Sequence, residues 1–164
     1  MNGTPLGPGP EFDRIRAIAA AMGRGGAGLG DDCAFLPDGW CVSIDVSNED
    51  VHFRRQWLTP REIGWRAAMA ALSDLAAVAA EPVALVVGLT APREEPTAAL
   101  AETMAGVADA AVSVGAVVAG GDLTAGPLLS LAVTVLGRAA QPVRRTGARV
   151  GDGVWVTGSL GGAR

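Results

Sequence analysis

Apolar residues recur at helical spacing near the start of the chain. Phe12, Ile15, Ile18 and Ala19 predict a helix from Glu11 to Met22. Residues 1–10, rich in Gly and Pro, read as a flexible leader, and Gly23 to Gly30 as a glycine-rich loop. Cys33–Leu36 and Cys41–Val46 alternate like two short strands joined by the turn Pro37-Asp38-Gly39. Residues 47–58 show no period. A strong helix is then predicted to about Ala80. Thr59 is its N-cap, Pro60 fits its first position, and Glu62 completes a capping box. Its Ala, Leu, Met and Val content after Arg66 predicts burial on most sides.

The rest of the pattern alternates. Val83–Thr90 reads as an apolar strand, Pro92 to Pro96 as a turn, and Thr97 to Gly115 as a second long helix. Ala116–Ala119 reads as a short strand ending at Gly120-Gly121-Asp122. Leu128–Gly137 reads as another strand, and Gly153–Thr157 as the start of one more. This predicts an α/β (α+β) fold with a mixed sheet and two long helices on one face. The other face needs cover, and a partner subunit is one way to supply it. The last residues form a glycine-rich turn after a strand, so a first half of a longer protein is expected.

Composition narrows the chemistry. The chain has 164 residues, 49% of them apolar, and a net charge of −4, which disfavours a nucleic-acid footprint. All 13 basic residues are Arg. Without Lys there is neither a Walker phosphate loop nor a Schiff base. A single histidine, His52, cannot build a histidine-rich zinc site. No apolar run reaches the roughly 18–20 residues of a membrane span. No secretory signal precedes Cys33 and Cys41, so free thiols and a cytoplasmic location are expected.

Acids stand in odd places. Asp31 and Asp32 follow a glycine turn in GLGDDCAFL, where two adjacent carboxylates repel each other. In CVSIDV, alternation puts Ser43 and Asp45 on one face. Asp74 interrupts AMAALSDLAAVAA, and Asp122 follows two glycines. Hard oxygen donors without a Cys or His cluster suit Mg²⁺, which commonly holds nucleotide phosphates. Blander roles exist for each: a turn or cap for Asp32 and Asp122, a solvated strand face for Ser43 and Asp45, a pairing with Arg66 for Asp74, and a structural role for His52.

The order of five motifs is more specific than any one of them. GLGDDCAFL, SIDVSNEDVHF, WLTPREIGWRAAMAALSDLAAVAAEP, GGDLTAGPL and RRTGARVGDGVWVTGSLGGA together resemble the thiamine-monophosphate kinase family, within the aminoimidazole ribonucleotide synthetase-like superfamily. The resemblance covers roughly residues 11–163. It implies ATP-dependent phosphorylation of thiamine monophosphate to thiamine diphosphate, with Mg²⁺ and a homodimer. It implies an N-terminal ATP- and Mg-binding domain at residues 11–150, with the start of a linker or second domain at 151–164. Asp32, Ser43, Asp45, Asp74 and Asp122 match metal ligands, and Ile44 would serve through its carbonyl, where the family often has Thr. Gly121, Asp122 and Arg145 match nucleotide contacts, and His52 matches a substrate contact. Asp50 stands where the family usually has Gly, and Ser47-Asn48-Glu49 replaces an apolar stretch. Two alternatives stay open: another ATP-dependent enzyme of the superfamily that activates an amide or carbonyl oxygen, and a non-catalytic dimerisation or nucleotide-binding module.

Overall fold

The computed structural model describes residues 8–26 and 28–159. In chain order these form α1 (Pro10–Met22), β1 (Ala34–Phe35), β2 (Trp40–Asn48), α2 (Pro60–Ala77), β3 (Glu81–Ala91), α3 (Thr97–Ser113), β4 (Val117–Ala125) and β5 (Ser130–Arg138). The strands make one sheet in the order β1-β2-β5-β3-β4. β5 runs antiparallel to β2 and β3, its neighbours on either side. β3 and β4 are parallel, as they must be when α3 is the crossover between them. The mixed α/β expectation therefore holds.

α2 starts as its sequence dictates. The Glu62 N–H donates to Thr59 Oγ1 at 3.3 Å, and the Thr59 N–H donates to Glu62 Oε2 at 2.8 Å. Ile63, Gly64, Ala67, Ala68, Ala71, Leu72 and Leu75 then recur every three or four residues and are buried. This stripe faces α3 and the inner side of β2 and β5. Two glycines set the helix spacing. A Cβ on Gly64 would lie 1.8 Å from the Thr103 carbonyl oxygen, and one on Gly106 would lie 1.9 Å from that of Arg61. The two backbones touch, so neither position has room for a side chain.

The core lies between these helices and one face of the sheet. Leu85, Val87 and Leu89 of β3, Leu131, Val133 and Val135 of β5, and Leu75, Val78 and Val107 fill it. The opposite face is apolar but bare. Ile44, Val46, Val86 and Val117 are exposed there, Ile44 by 61%.

Several sequence expectations change. α2 ends at Ala77 rather than near Ala80, because Ala79 takes a positive φ of 56° and the Ala80 N–H turns back to the Leu75 carbonyl. β2 continues to Asn48, into the stretch expected to be irregular. β4 does not stop at Ala119 but runs through Gly120-Gly121-Asp122 to Ala125. Gly153–Thr157 forms no strand. Val154, Trp155 and Val156 are exposed, and a strand without a pairing neighbour has nowhere to place its backbone hydrogen bonds. Of the expected leader, residues 1–7 lie outside the described residues and Pro10 already belongs to α1. α1 buries none of its residues despite its helical pattern.

Candidate functional site

The acid corner sits where β1, β2 and the end of α2 meet. Strand alternation turns Cys41, Ser43 and Asp45 of β2 toward the helices and Ile44 and Val46 to the bare face. Asp74 approaches from the last turn of α2, and Ser43 Oγ donates to its Oδ2 at 2.6 Å. Cys33 Sγ donates to the Asp74 carbonyl oxygen at 3.4 Å and ties the chain after Asp32 to the same turn. Burial pushes the Asp74 carboxyl above its ordinary range; the Ser43 hydrogen bond opposes this, while the charges of Asp45 and Asp32 add to it. The four oxygen-bearing side chains Asp32, Ser43, Asp45 and Asp74 thus share one corner. Ser43, not Arg66, is the partner of Asp74, since Arg66 lines a cavity elsewhere.

No group of three or more acid, His or Cys side chains forms a ready-made ion cage among the described residues. The corner holds crowded charge rather than a closed coordination sphere. Its thiol stays out of the chemistry: burial, then Asp74, Cys41, Asp32 and Asp31, push Cys33 up to about 12. Both cysteines are free and buried.

Asp31 turns to the segment after β5. Its Oδ1 accepts from the backbone N–H of Asp32 at 3.2 Å and of Arg145 at 3.4 Å. Its Oδ2 is buried without a hydrogen bond, 3.7 Å from the Arg144 guanidinium. Arg144 in turn lies over the Phe35 ring, 3.6 Å from its centroid. Asp31 therefore anchors the segment after β5 and brings Arg145 to the edge of the acid corner. Sequence reasoning singled out Arg145 and missed Arg144; the paired arginines were the only signal.

Gly121 and Asp122 are elsewhere. The sheet register aligns Asp45, Val133, Val87 and Gly121 in one row and Val46, Ala132, Gly88 and Asp122 in the next. Asp122 therefore lies on the bare face, opposite to Asp45, and three strand spacings away, roughly 14 Å. A cavity of about 500 Å³ beside β4 is lined by Leu100, Met104, Val118, Gly121 and Asp122, mostly apolar. Gly121 has a packing reason to be glycine, since a Cβ there would meet the Val87 carbonyl oxygen at 2.2 Å.

His52 stands at a third place, past the end of β2. The Asn48 N–H donates to its Nδ1 at 3.0 Å, so in the neutral ring the proton sits on Nε2. The imidazole borders a cavity of about 460 Å³ with Asp50, Arg54, Trp57 and Arg66. Asp50 takes a φ of 62°, a left-handed conformation that Gly adopts freely.

The family model for AIR synthase related protein, N-terminal domain, matches residues 30–139. The chain belongs to this family. Its strands, α2 and α3 all lie within the match, as do the acid corner, His52 and Asp122. Among curated relatives of this AIR synthase-related chain, the thiamine-monophosphate kinase of Rhodopirellula baltica is 38% identical, over 91% of this chain and 51% of that protein. The solved structure of the thiamine-monophosphate kinase from Stenotrophomonas maltophilia is 34% identical, with a TM-score of 0.65 over 90% of this chain and 48% of that one. The structure of AaThiL complexed with AMPPCP and TMP has a TM-score of 0.79 at 27% identity, over 85% of this chain and 45% of that one. The chain spans about half the length of the curated relatives it matches.

Proposed function

We propose that the chain is the nucleotide- and Mg²⁺-binding half of a thiamine-monophosphate kinase. The reaction is the transfer of the γ-phosphoryl group of ATP to thiamine monophosphate, which gives thiamine diphosphate and ADP. The observation that carries the reading is the Ser43–Asp74 bond at 2.6 Å within a corner that also holds Asp32 and Asp45. Oxygen donors crowd there; burial first, then the charges of Asp45 and Asp32, raises the Asp74 carboxyl, and a bound cation would favour its charged form.

Asp32, Ser43, Asp45, Asp74 and the carbonyl of Ile44 would hold Mg²⁺ at this corner, and Asp122, roughly 14 Å away on the other face, would hold a separate ion. Bound Mg²⁺ would neutralise phosphate charge. The protein's own part is positional. The apolar cavity beside Gly121 suits a nucleotide base, Arg145 faces the phosphates from the Asp31 side, and His52 offers Nε2–H to the substrate. The substrate phosphate is already an anionic nucleophile, so no general base is required of the chain.

The exposed apolar face of the sheet supports a homodimer. A second copy on the bare face would cover Ile44, Val46, Val86 and Val117. The split set also favours a second reading, in which this half binds Mg-ATP but turns nothing over alone. A thiamine diphosphate assay decides. Product formed from thiamine monophosphate and Mg-ATP, and lost in Asp45→Asn, supports the kinase. Product formation unaffected by Asp45→Asn would sink the metal assignment. Mg-ATP binding without product leaves the second reading.

A further inference from the structure

The polar stretch Ser47-Asn48-Glu49, expected to be irregular, forms a clamp around His52. Ser130 Oγ donates to Asn48 Oδ1 at 2.5 Å, which fixes Asn48 against β5. The Asn48 N–H donates to His52 Nδ1, and the His52 N–H returns to the Asn48 carbonyl at 2.9 Å. Glu49 accepts from the Leu129 N–H at 3.0 Å. One guanidinium joins these pieces to a distant turn. Arg55 Nε lies 2.7 Å from Glu49 Oε1, and its Nη1 donates to both Glu95 oxygens at 2.7 and 2.8 Å. Glu95 belongs to the turn between β3 and α3, where its N–H donates to the Pro92 carbonyl.

We propose that Arg55 is a positioning residue: by bridging Glu49 to Glu95 it holds the loop from Asp50 to Arg54 in the one shape that points His52 Nε2–H into its cavity. The proposal rests on reading His52 as a substrate contact, and concerns how that ring is held. Several features favour it. The Glu95 side chain is only 8% exposed and that of Glu49 15%, so the bridge is sheltered from water. The bridge uses two nitrogens of one planar guanidinium, Nε toward Glu49 and Nη1 toward Glu95, which the single nitrogen of Lys cannot reproduce. Phe53 anchors the middle of the loop in the core, while Asp50 takes a left-handed φ and its N–H bonds within the loop, to Phe53, so the bridge is what ties the loop's two ends to the turn at Glu95. Burial pushes the Glu49 carboxyl up, yet the Arg55 and Leu129 hydrogen bonds outweigh it and hold it below the ordinary range.

The chain has one histidine, so its imidazole gives one set of nitrogen resonances. With isotope-labelled histidine in the full chain, a long-range proton–nitrogen spectrum reads the tautomer of His52 directly. The wild type should show the single Nε2–H pattern. In Arg55→Gln the two nitrogen signals should move toward each other, as the ring samples both tautomers, while the Trp side-chain signals of the folded protein persist. An unchanged His52 pattern in folded Arg55→Gln overturns the proposal. If that variant fails to fold, Glu95→Gln, which cuts one arm of the bridge, is read the same way: a lost pattern supports the clamp and an intact one overturns it. Arg55→Lys should not restore the wild-type pattern. Titrating wild type with thiamine monophosphate tests the underlying reading separately, because His52 signals that ignore the substrate would remove its contact role and leave the clamp result untouched.

Discussion

One helix serves two unlike neighbourhoods. Where α2 crosses α3, small residues let the backbones meet: Gly64 against Thr103, and Gly106 against Arg61. Where α2 ends at the acid corner, Asp74 meets Ser43, and burial, then the nearby Asp45 and Asp32, disfavours its charge. The first contact is satisfied by what is already in the chain. The second is left electrostatically short, a sheltered carboxyl with acids for neighbours. Such a deficit marks a candidate for a functional site.

The comparison breaks most severely at the helix crossing. Gly64→Ala should destabilise by about 3 kcal/mol, since the new methyl overlaps backbone that cannot turn aside. The melting temperature should fall on the order of 10 °C. A loss below about 1 kcal/mol would mean that the helices are free to separate, and that the crossing is not the rigid part.

At the acid corner the same helix should respond in the opposite sense. Asp74→Asn removes a charge that burial and its neighbours disfavour, so the ligand-free protein should melt higher at neutral pH. The sign follows from linkage. A folded-state carboxyl above its ordinary value of 3.8 holds more protons than the unfolded chain, so stability falls as pH rises above that value. A pH series of thermal melts should show this fall in wild type and a flatter curve in Asp74→Asn. A less stable variant at neutral pH would mean that the Ser43 bond outweighs the repulsion.

The smallest effect belongs to the start of α2. Thr59→Ala breaks the capping box and should cost about 1 kcal/mol. A denaturant melt should show it without any change in ligand binding, which separates the helix's local start from its functional end.

Most of the fold was written in local pattern. Thr59, Pro60 and Glu62 marked the start of α2, and alternation in β2 put Ser43 and Asp45 on one face. The reach of β4 was hidden because Gly120-Gly121-Asp122 looks like a turn. Only the neighbouring strand shows that Gly121 is needed for contact with Val87. With β4 ended too early, the face of Asp122 could not be read, and five ligands looked like one cluster. The strand expected at Gly153–Thr157 failed for a related reason: alternation is local, but pairing needs a neighbour. Glu49, Arg55 and Glu95 were invisible as a network because the three come together across 46 residues only after α2 and β3 have packed.

The central claim is that the acid corner awaits a cation carrying nucleotide phosphates. Calorimetry of ATP binding, with and without Mg²⁺, on wild type and Asp74→Asn tests it most directly. The account predicts Mg²⁺-dependent binding that weakens at least about tenfold in the variant, or about 1.4 kcal/mol. Equal affinity in a folded Asp74→Asn protein, or binding indifferent to Mg²⁺, would contradict it.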